Sequence, residues 1–221
     1  MALLGDAVMV IYNDFTGEAL DHDDWHTYEH MHERLSIPGF LRGSRWIAKS
    51  GAPRYLILYE VASAGVATSP AYLARLNDPT PWTSATMPRI TGMIRGFCTV
   101  AGSAGYGLGS TAFSMRFRPQ GDASEVRKVL PEMQSRPGMA SVHLLQPVER
   151  PPMTKEQSLR GRDAETGWIL LATAHDAGVL ARAADDFLGA TPDAARGTYA
   201  LSFTATAAEV ARSPANPPRR A

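Results

Sequence analysis

The sequence is poorest in cysteine. Of its 221 residues only Cys98 carries a thiol, which excludes an internal disulfide framework and a thiolate-bound metal cluster. It also lacks an excess of either charge: 22 Lys and Arg face 22 Asp and Glu. A nucleic-acid binder shows a basic surplus, so no nucleic-acid partner is expected. Nor does any stretch suit a membrane helix. The longest uncharged run, 96–115, is broken by five glycines and several Ser and Thr residues. The start, Met1-Ala2-Leu3-Leu4-Gly5-Asp6, has no basic region and meets an acid at once, so no targeting signal is expected and the expected location is cytoplasmic. With 44% hydrophobic residues, 19 glycines and 16 prolines, the chain has enough apolar material for a core and too little Pro and Gly for a disordered or collagenous protein. Its length suits one large domain or two small ones.

Periodicity orders the elements. Strands are expected over 7–12, 40–49, 55–61 and 94–100, with helices over 21–35 and 70–76 and an irregular excursion over 77–88. The order then repeats: strands over 111–117, 139–148, 168–172 and 198–206, helices over 124–133 and 176–188, and a polar insertion over 149–166. Asp21, Asp23 and Asp24 suit the start of the first helix and Ser124 the cap of its counterpart. Pro38-Gly39 and Pro137-Gly138 stop the two helices at equivalent places, 99 residues apart. The expected fold is therefore α+β: two fused ferredoxin-like βαββαβ units, over 1–101 and 110–208, joined by a linker over 102–109 and followed by a disordered tail over 209–221. One such unit leaves a sheet face bare, and packing the two sheets face to face is expected to cover it.

Four of the six histidines, His22, His26, His30 and His32, fall within eleven residues. On a helix His22, His26 and His30 share a stripe, with Glu33 three residues beyond His30, while Glu29 and His32 lie on a neighbouring stripe with Trp25. Such a set suits acid–base chemistry, since imidazole titrates near neutrality and a carboxylate can orient it. It also suits a metal site, given a third ligand, or a solvated helix face. At the 99-residue offset His26 falls on Glu125, His30 on Val129, His32 on Pro131 and Glu33 on Glu132. The histidine set belongs to one repeat only, so the first unit is expected to be active and the second structural.

The run Trp25-His26-Thr27-Tyr28-Glu29-His30-Met31-His32-Glu33-Arg34-Leu35, followed by Pro38-Gly39-Phe40 and preceded by Tyr12-Asn13-Asp14, resembles the dimeric α+β barrel superfamily. That group includes muconolactone-isomerase-like enzymes, polyketide cyclases and antibiotic-biosynthesis monooxygenases, and the likeness is strongest to EthD-like and DUF4286-like bacterial proteins. It covers residues 8 to about 100. His26 stands where an aromatic is usual and His32 where a proline is usual. The resemblance implies a ligand cleft between helices and sheet, with His30 and Glu33 aimed into it and Trp25, Tyr28, Phe40 and Trp46 as walls. Arg34, with Arg42 and Arg45, would meet a carboxylate or phenolate.

Other signals are weaker. The glycine-rich stretch 102–109 lacks a Lys-Ser/Thr pair and reads as a linker. Cys98 reads as a core thiol, Met87, Met93, Met115 and Met133 as core filler, and Ser114, Ser141 and Ser202 lack an elbow motif. The expected protein is a small-molecule enzyme of isomerase, cyclase or lyase type acting on an oxygenated apolar or aromatic substrate, with His30, Glu33, His26 and His32 catalytic and Trp25, Tyr28, Arg34, Phe40 and Trp46 binding. No organic cofactor, metal or membrane partner is expected, and the chain would be a monomeric pseudo-dimer or a homodimer. A cofactor-independent oxygenase and a non-catalytic binding protein are the alternatives on the same frame.

Overall fold

A computed structural model describes residues 3–119, 123–188 and 194–213. The first half runs β1 (Ala7–Phe15), α1 (Ala19–Trp25), a π-helical turn (His26–His30), α2 (Met31–Leu35), β2 (Phe40–Ser50), β3 (Tyr55–Val61), α3 (Pro70–Leu76), α4 (Pro81–Thr86) and β4 (Ile90–Gly105). The second runs β5 (Thr111–Phe117), α5 (Ser124–Gln134), β6 (Met139–Pro147), α6 (Lys155–Ser158), β7 (Trp168–Ala174), α7 (Ala177–Leu188), β8 (Ala195–Thr206) and α8 (Ala207–Val210). Short 3₁₀ turns at Ala64–Thr68 and Met87–Arg89 complete the set.

The eight strands close into one antiparallel barrel in the order β1-β3-β2-β8-β5-β7-β6-β4. Each half keeps the split-βαβ order, and each half's second strand pairs with the other half's last: β2 with β8, and β6 with β4. The bare sheet face is thus covered by closing the barrel edge to edge, not by stacking two sheets. Closure also leaves no unpaired edge. Strand parity explains the long apolar runs. Val8, Val10 and Tyr12 of β1 point into the barrel beside Trp46, Leu56 and Leu58, whereas Ala7, Met9 and Ile11 face outward to the helices. Both faces are buried, so alternation disappears from the sequence.

Several boundaries differ from the expected ones. The linker over 102–109 is strand as far as Gly105, because β4 continues past β1 to pair with β6. The irregular 77–88 holds α4, started by Thr80, whose hydroxyl accepts from the Thr83 amide, with Pro81 next. The insertion 149–166 holds α6, started by a Thr154–Gln157 capping box. The first helix begins after Glu18, without an Asp cap, and Ser124 opens α5 without being its cap. Of the expected tail, Glu209 and Val210 are helical, and 214–221 lie outside the described residues. No helix among the described residues is long and apolar enough to cross a membrane.

Candidate functional site

The helical segment 19–35 crosses the outer face of the first sheet and is interrupted by the π turn, in which the Met31 amide bonds back to the His26 carbonyl. In an unbroken α-helix residues four apart drift by about 40° per step. The wider π turn steps back against that drift, so His22, His26, His30 and Arg34 all line one pocket. The turn also brings His30 onto Trp25, five residues away, with ring centroids 4.4 Å apart. Glu29 pins this irregular turn by accepting from the hydroxyls of Thr80 (2.6 Å) and Thr83 (2.9 Å). Trp25 Nε1 donates to the same Thr83 hydroxyl.

The pocket lies between this segment and the outward side chains of β1, β3 and β4. Its apolar walls include Met9, Ile11, Trp25, Ile57, Met87 and Met93, and its polar lining includes Asn13, the three histidines and Arg34. The envelope spans about 410 Å³ but is constricted, with a cavity of only about 30 Å³, room for one or two waters. Four buried polar atoms here, Asn13 Oδ1, His22 Nε2, His30 Nδ1 and Arg34 Nη1, have no hydrogen-bond partner among the described residues. Native interiors satisfy nearly all such groups, so a cluster of four marks a place for a polar guest.

Electrostatics keep the imidazoles neutral. Burial, reinforced by the Arg34 guanidinium, holds His30 well below the ordinary histidine value. Burial with Arg45 does the same for His26, and burial lowers His22 despite Asp23 beside it. Arg45 Nη1 lies 3.4 Å from His26 Nδ1, and since Arg only donates, that nitrogen accepts. Nε2 then carries the proton and donates to the Tyr59 hydroxyl at 3.1 Å. Burial raises the Tyr59 pKa, so the phenol stays neutral.

Arg34 is anchored by Glu156 of α6, whose two oxygens lie 2.5 and 2.6 Å from Nη2. Beside this pair Arg160 grips Asp163 with two bonds of 3.1 Å, and Arg95 of β4 lies 3.5 Å from the same carboxylate. The insertion is stitched to β4, where the Ala164 amide donates to the Met93 carbonyl and the Arg95 amide to the Ala164 carbonyl. The second half therefore supplies a wall of the first half's pocket and is not merely structural. Its own helix–sheet space is filled by Leu130, Met133, Leu180 and Ala183. Met31 and Arg34 keep the 99-residue register with the buried Leu130 and Met133, whereas Glu125 is exposed and Val129 half-buried where His26 and His30 are buried.

Of the residues expected to act, His30, His26, Trp25 and Arg34 line the pocket. The others do not. Glu33 turns away to pair with Arg75 at 3.5 Å. His32 faces outward, 3.0 Å from the Ser213 carbonyl. Tyr28 is 41% exposed. Phe40 packs in the core against Tyr59 and Tyr72. Trp46 sits inside the barrel, donating to Ser44. Sequence reasoning missed Asn13, Arg95, Glu156, Arg160 and Asp163. Among the described residues no three His, Cys, Asp or Glu side chains converge as a metal-ligand set.

No family model and no curated protein sequence matches the chain. Solved structures do. An anthrone oxidase-like protein matches with a TM-score of 0.62 at 13% identity, over 94% of this chain and 96% of that one. Proteins assigned as candidate monooxygenases from Fusobacterium nucleatum (TM-score 0.55, 9% identity, 92% and 96% covered) and Lactobacillus acidophilus (0.53, 11%, 91% and 97%) share the same architecture. The fold is that of the dimeric α+β barrels, closed here within one chain.

Proposed function

We propose that this chain is a small-molecule oxygenase that needs no organic cofactor and acts on an electron-rich phenol or enol. The observation that carries the proposal is His30: a neutral imidazole with an unpartnered Nδ1, one helical turn from the open Nη1 of Arg34, in an apolar pocket. A neutral imidazole takes a proton from the substrate, and Arg34 stabilises the anion left behind. The anion gives electrons to O₂, and the carbon–oxygen bond forms as a peroxide. The proton returns from His30, and loss of water across the C–H and O–O bonds leaves a carbonyl, so one O₂ becomes the new carbonyl oxygen and one water. Names of similarly folded proteins, anthrone oxidase-like and monooxygenase, support this reading. Met9, Met87 and Met93 provide walls that yield to a ring larger than the resting cavity.

Isomerisation or cyclisation is the second reading. It is favoured by His26, whose ring centroid lies 5.9 Å from that of His30 and which could return the proton at a different atom. Oxygen uptake with anthrone-type phenols, set against anaerobic turnover of the same compounds, separates the two. In either case His30→Gln lowers turnover by about 10²–10⁴-fold. Unchanged turnover removes His30 from the mechanism, and strictly anaerobic conversion removes the oxygenase.

A further inference from the structure

A second cavity adjoins the histidine pocket across the Arg95–Asp163 pair. Its floor is Arg95, Gly96 and Phe97 of β4, and its roof is the insertion, with Arg150, Pro151, Met153, Gln157 and Arg162. Its volume is about 370 Å³, within the range of small-molecule sites, whereas the inner cavity is about 30 Å³. The two share Arg95.

The charges here do not balance. Three guanidiniums, of Arg95, Arg150 and Arg162, line the outer cavity against one carboxylate, Asp163. That carboxylate is already gripped by Arg160 from the inner side and faces Arg95. Arg150 spends Nη1 on the Asp163 carbonyl, while its buried Nη2 has no partner among the described residues. Phe97, Pro151 and Met153 give an apolar wall beside these donors. A fixed guanidinium with a free N–H, beside a second cation and an apolar wall, recognises a planar anion on a hydrophobic body.

We infer that the outer cavity is a carboxylate subsite: Arg150 and Arg162 bind the carboxylate of an aromatic acid, whose ring lies on Phe97 and points toward Arg95 and the histidine pocket. The last clause rests on the proposed role of that pocket, and the anion site itself does not. The subsite defines the substrate class as an aromatic carrying both an oxidisable ring and a carboxylate.

Binding of 2-naphthoate and of uncharged 2-naphthamide, measured by calorimetry at low salt, tests it. The expected result is that naphthoate binds at least tenfold more tightly than the amide, and that Arg150→Gln and Arg162→Gln each weaken naphthoate about tenfold while leaving the amide unchanged. Arg162 is exposed, so its variant folds even if Arg150→Gln loosens the insertion. His30→Gln leaves naphthoate affinity unchanged, so the subsite and the proton-transfer proposal fail separately. Equal affinity for acid and amide, no naphthoate binding at millimolar concentration, or an Arg162→Gln variant that binds like the parent would overturn the assignment.

Discussion

Acid should unfold this protein through its imidazoles. His22, His26, His30 and His143 are each at most 5% exposed, and burial lowers the pKa of all four. In the unfolded chain each returns to about 6.5. Between the lowered folded value and 6.5 the unfolded state holds the extra proton, so stability is full above about pH 6.5 and declines as the pH falls. For His143, pushed down to about 4 by burial and Arg42, the interval is about 2.5 units, or roughly 3 kcal/mol at 1.36 kcal/mol per unit. The three pocket histidines act in the same direction. Raised carboxylates, Glu33 and Glu60, act oppositely, but only within their own range above about 4.5. Against a typical total of about 5–15 kcal/mol, the histidines suffice to bring the transition into the mildly acidic range. Urea unfolding followed by tryptophan fluorescence from pH 8 to 5 should show a midpoint that falls below pH 6.5, with more than one proton taken up on unfolding. His143→Gln, which can keep the bond to Ser103, should reduce that uptake by about one proton. A midpoint that stays level between pH 7.5 and 5.5 would refute the claim that these rings are buried and neutral, and with it the base assigned to His30.

Two further outcomes follow from the same charges. Removing the counter-ion of Arg34 by Glu156→Gln strands a buried guanidinium next to Arg160, at a cost of about 3–5 kcal/mol. Calorimetry should show a melting point lower by roughly 6–20 °C, and the double change Arg34→Met with Glu156→Leu should recover most of it. A single-variant loss under about 1 kcal/mol would contradict the buried pair. The pH profile of kcat/KM should have its acid limb below the ordinary histidine value of about 6.5, because burial and Arg34 depress His30. A limb above 6.5 excludes His30 as the base.

The sequence carries the barrel's strands and the histidine stripe because each rests on a local regularity. Strands β1, β3 and β7 are runs of apolar residues because both of their faces are buried, and the stripe follows from four-residue spacing alone. The π turn has no such signature: His26-Thr27-Tyr28-Glu29-His30 contains neither Pro nor Gly, and its stability comes from Thr80 and Thr83, some fifty residues away. Glu33, expected beside His30, turns toward Arg75 instead, because Arg34, four residues after His30, takes the pocket face. The pocket residues of the insertion were hidden for another reason. Glu156, Arg160 and Asp163 lie in a polar stretch with no periodicity long enough to notice. Yet Thr154 with Gln157 is a legible helix start, and Glu156 with Arg160 a legible four-residue ion-pair spacing. Those two signals would have marked 149–166 as built structure.

The closed two-unit barrel explains why such an insertion reaches the other unit's pocket. Because β6 pairs with β4, the segment between β6 and β7 emerges beside the first half's sheet, not over its own. It therefore reaches the pocket of the other repeat, and the bond between Arg34 and Glu156 spans 122 residues of sequence. The first half alone would hold the histidines but neither the counter-ion of Arg34 nor the strands β6 and β8 that close its sheet edges. The two halves are built differently. The first half holds a helix widened by a π turn and lined with imidazoles, and the second fills the equivalent space with Leu130, Met133 and Leu180 while its insertion walls the first half's pocket. A single barrel with one open cleft and one filled cleft is the physical form of that division. A site whose proposed base comes from one half and whose charge balance comes from the other exists only when the barrel is closed.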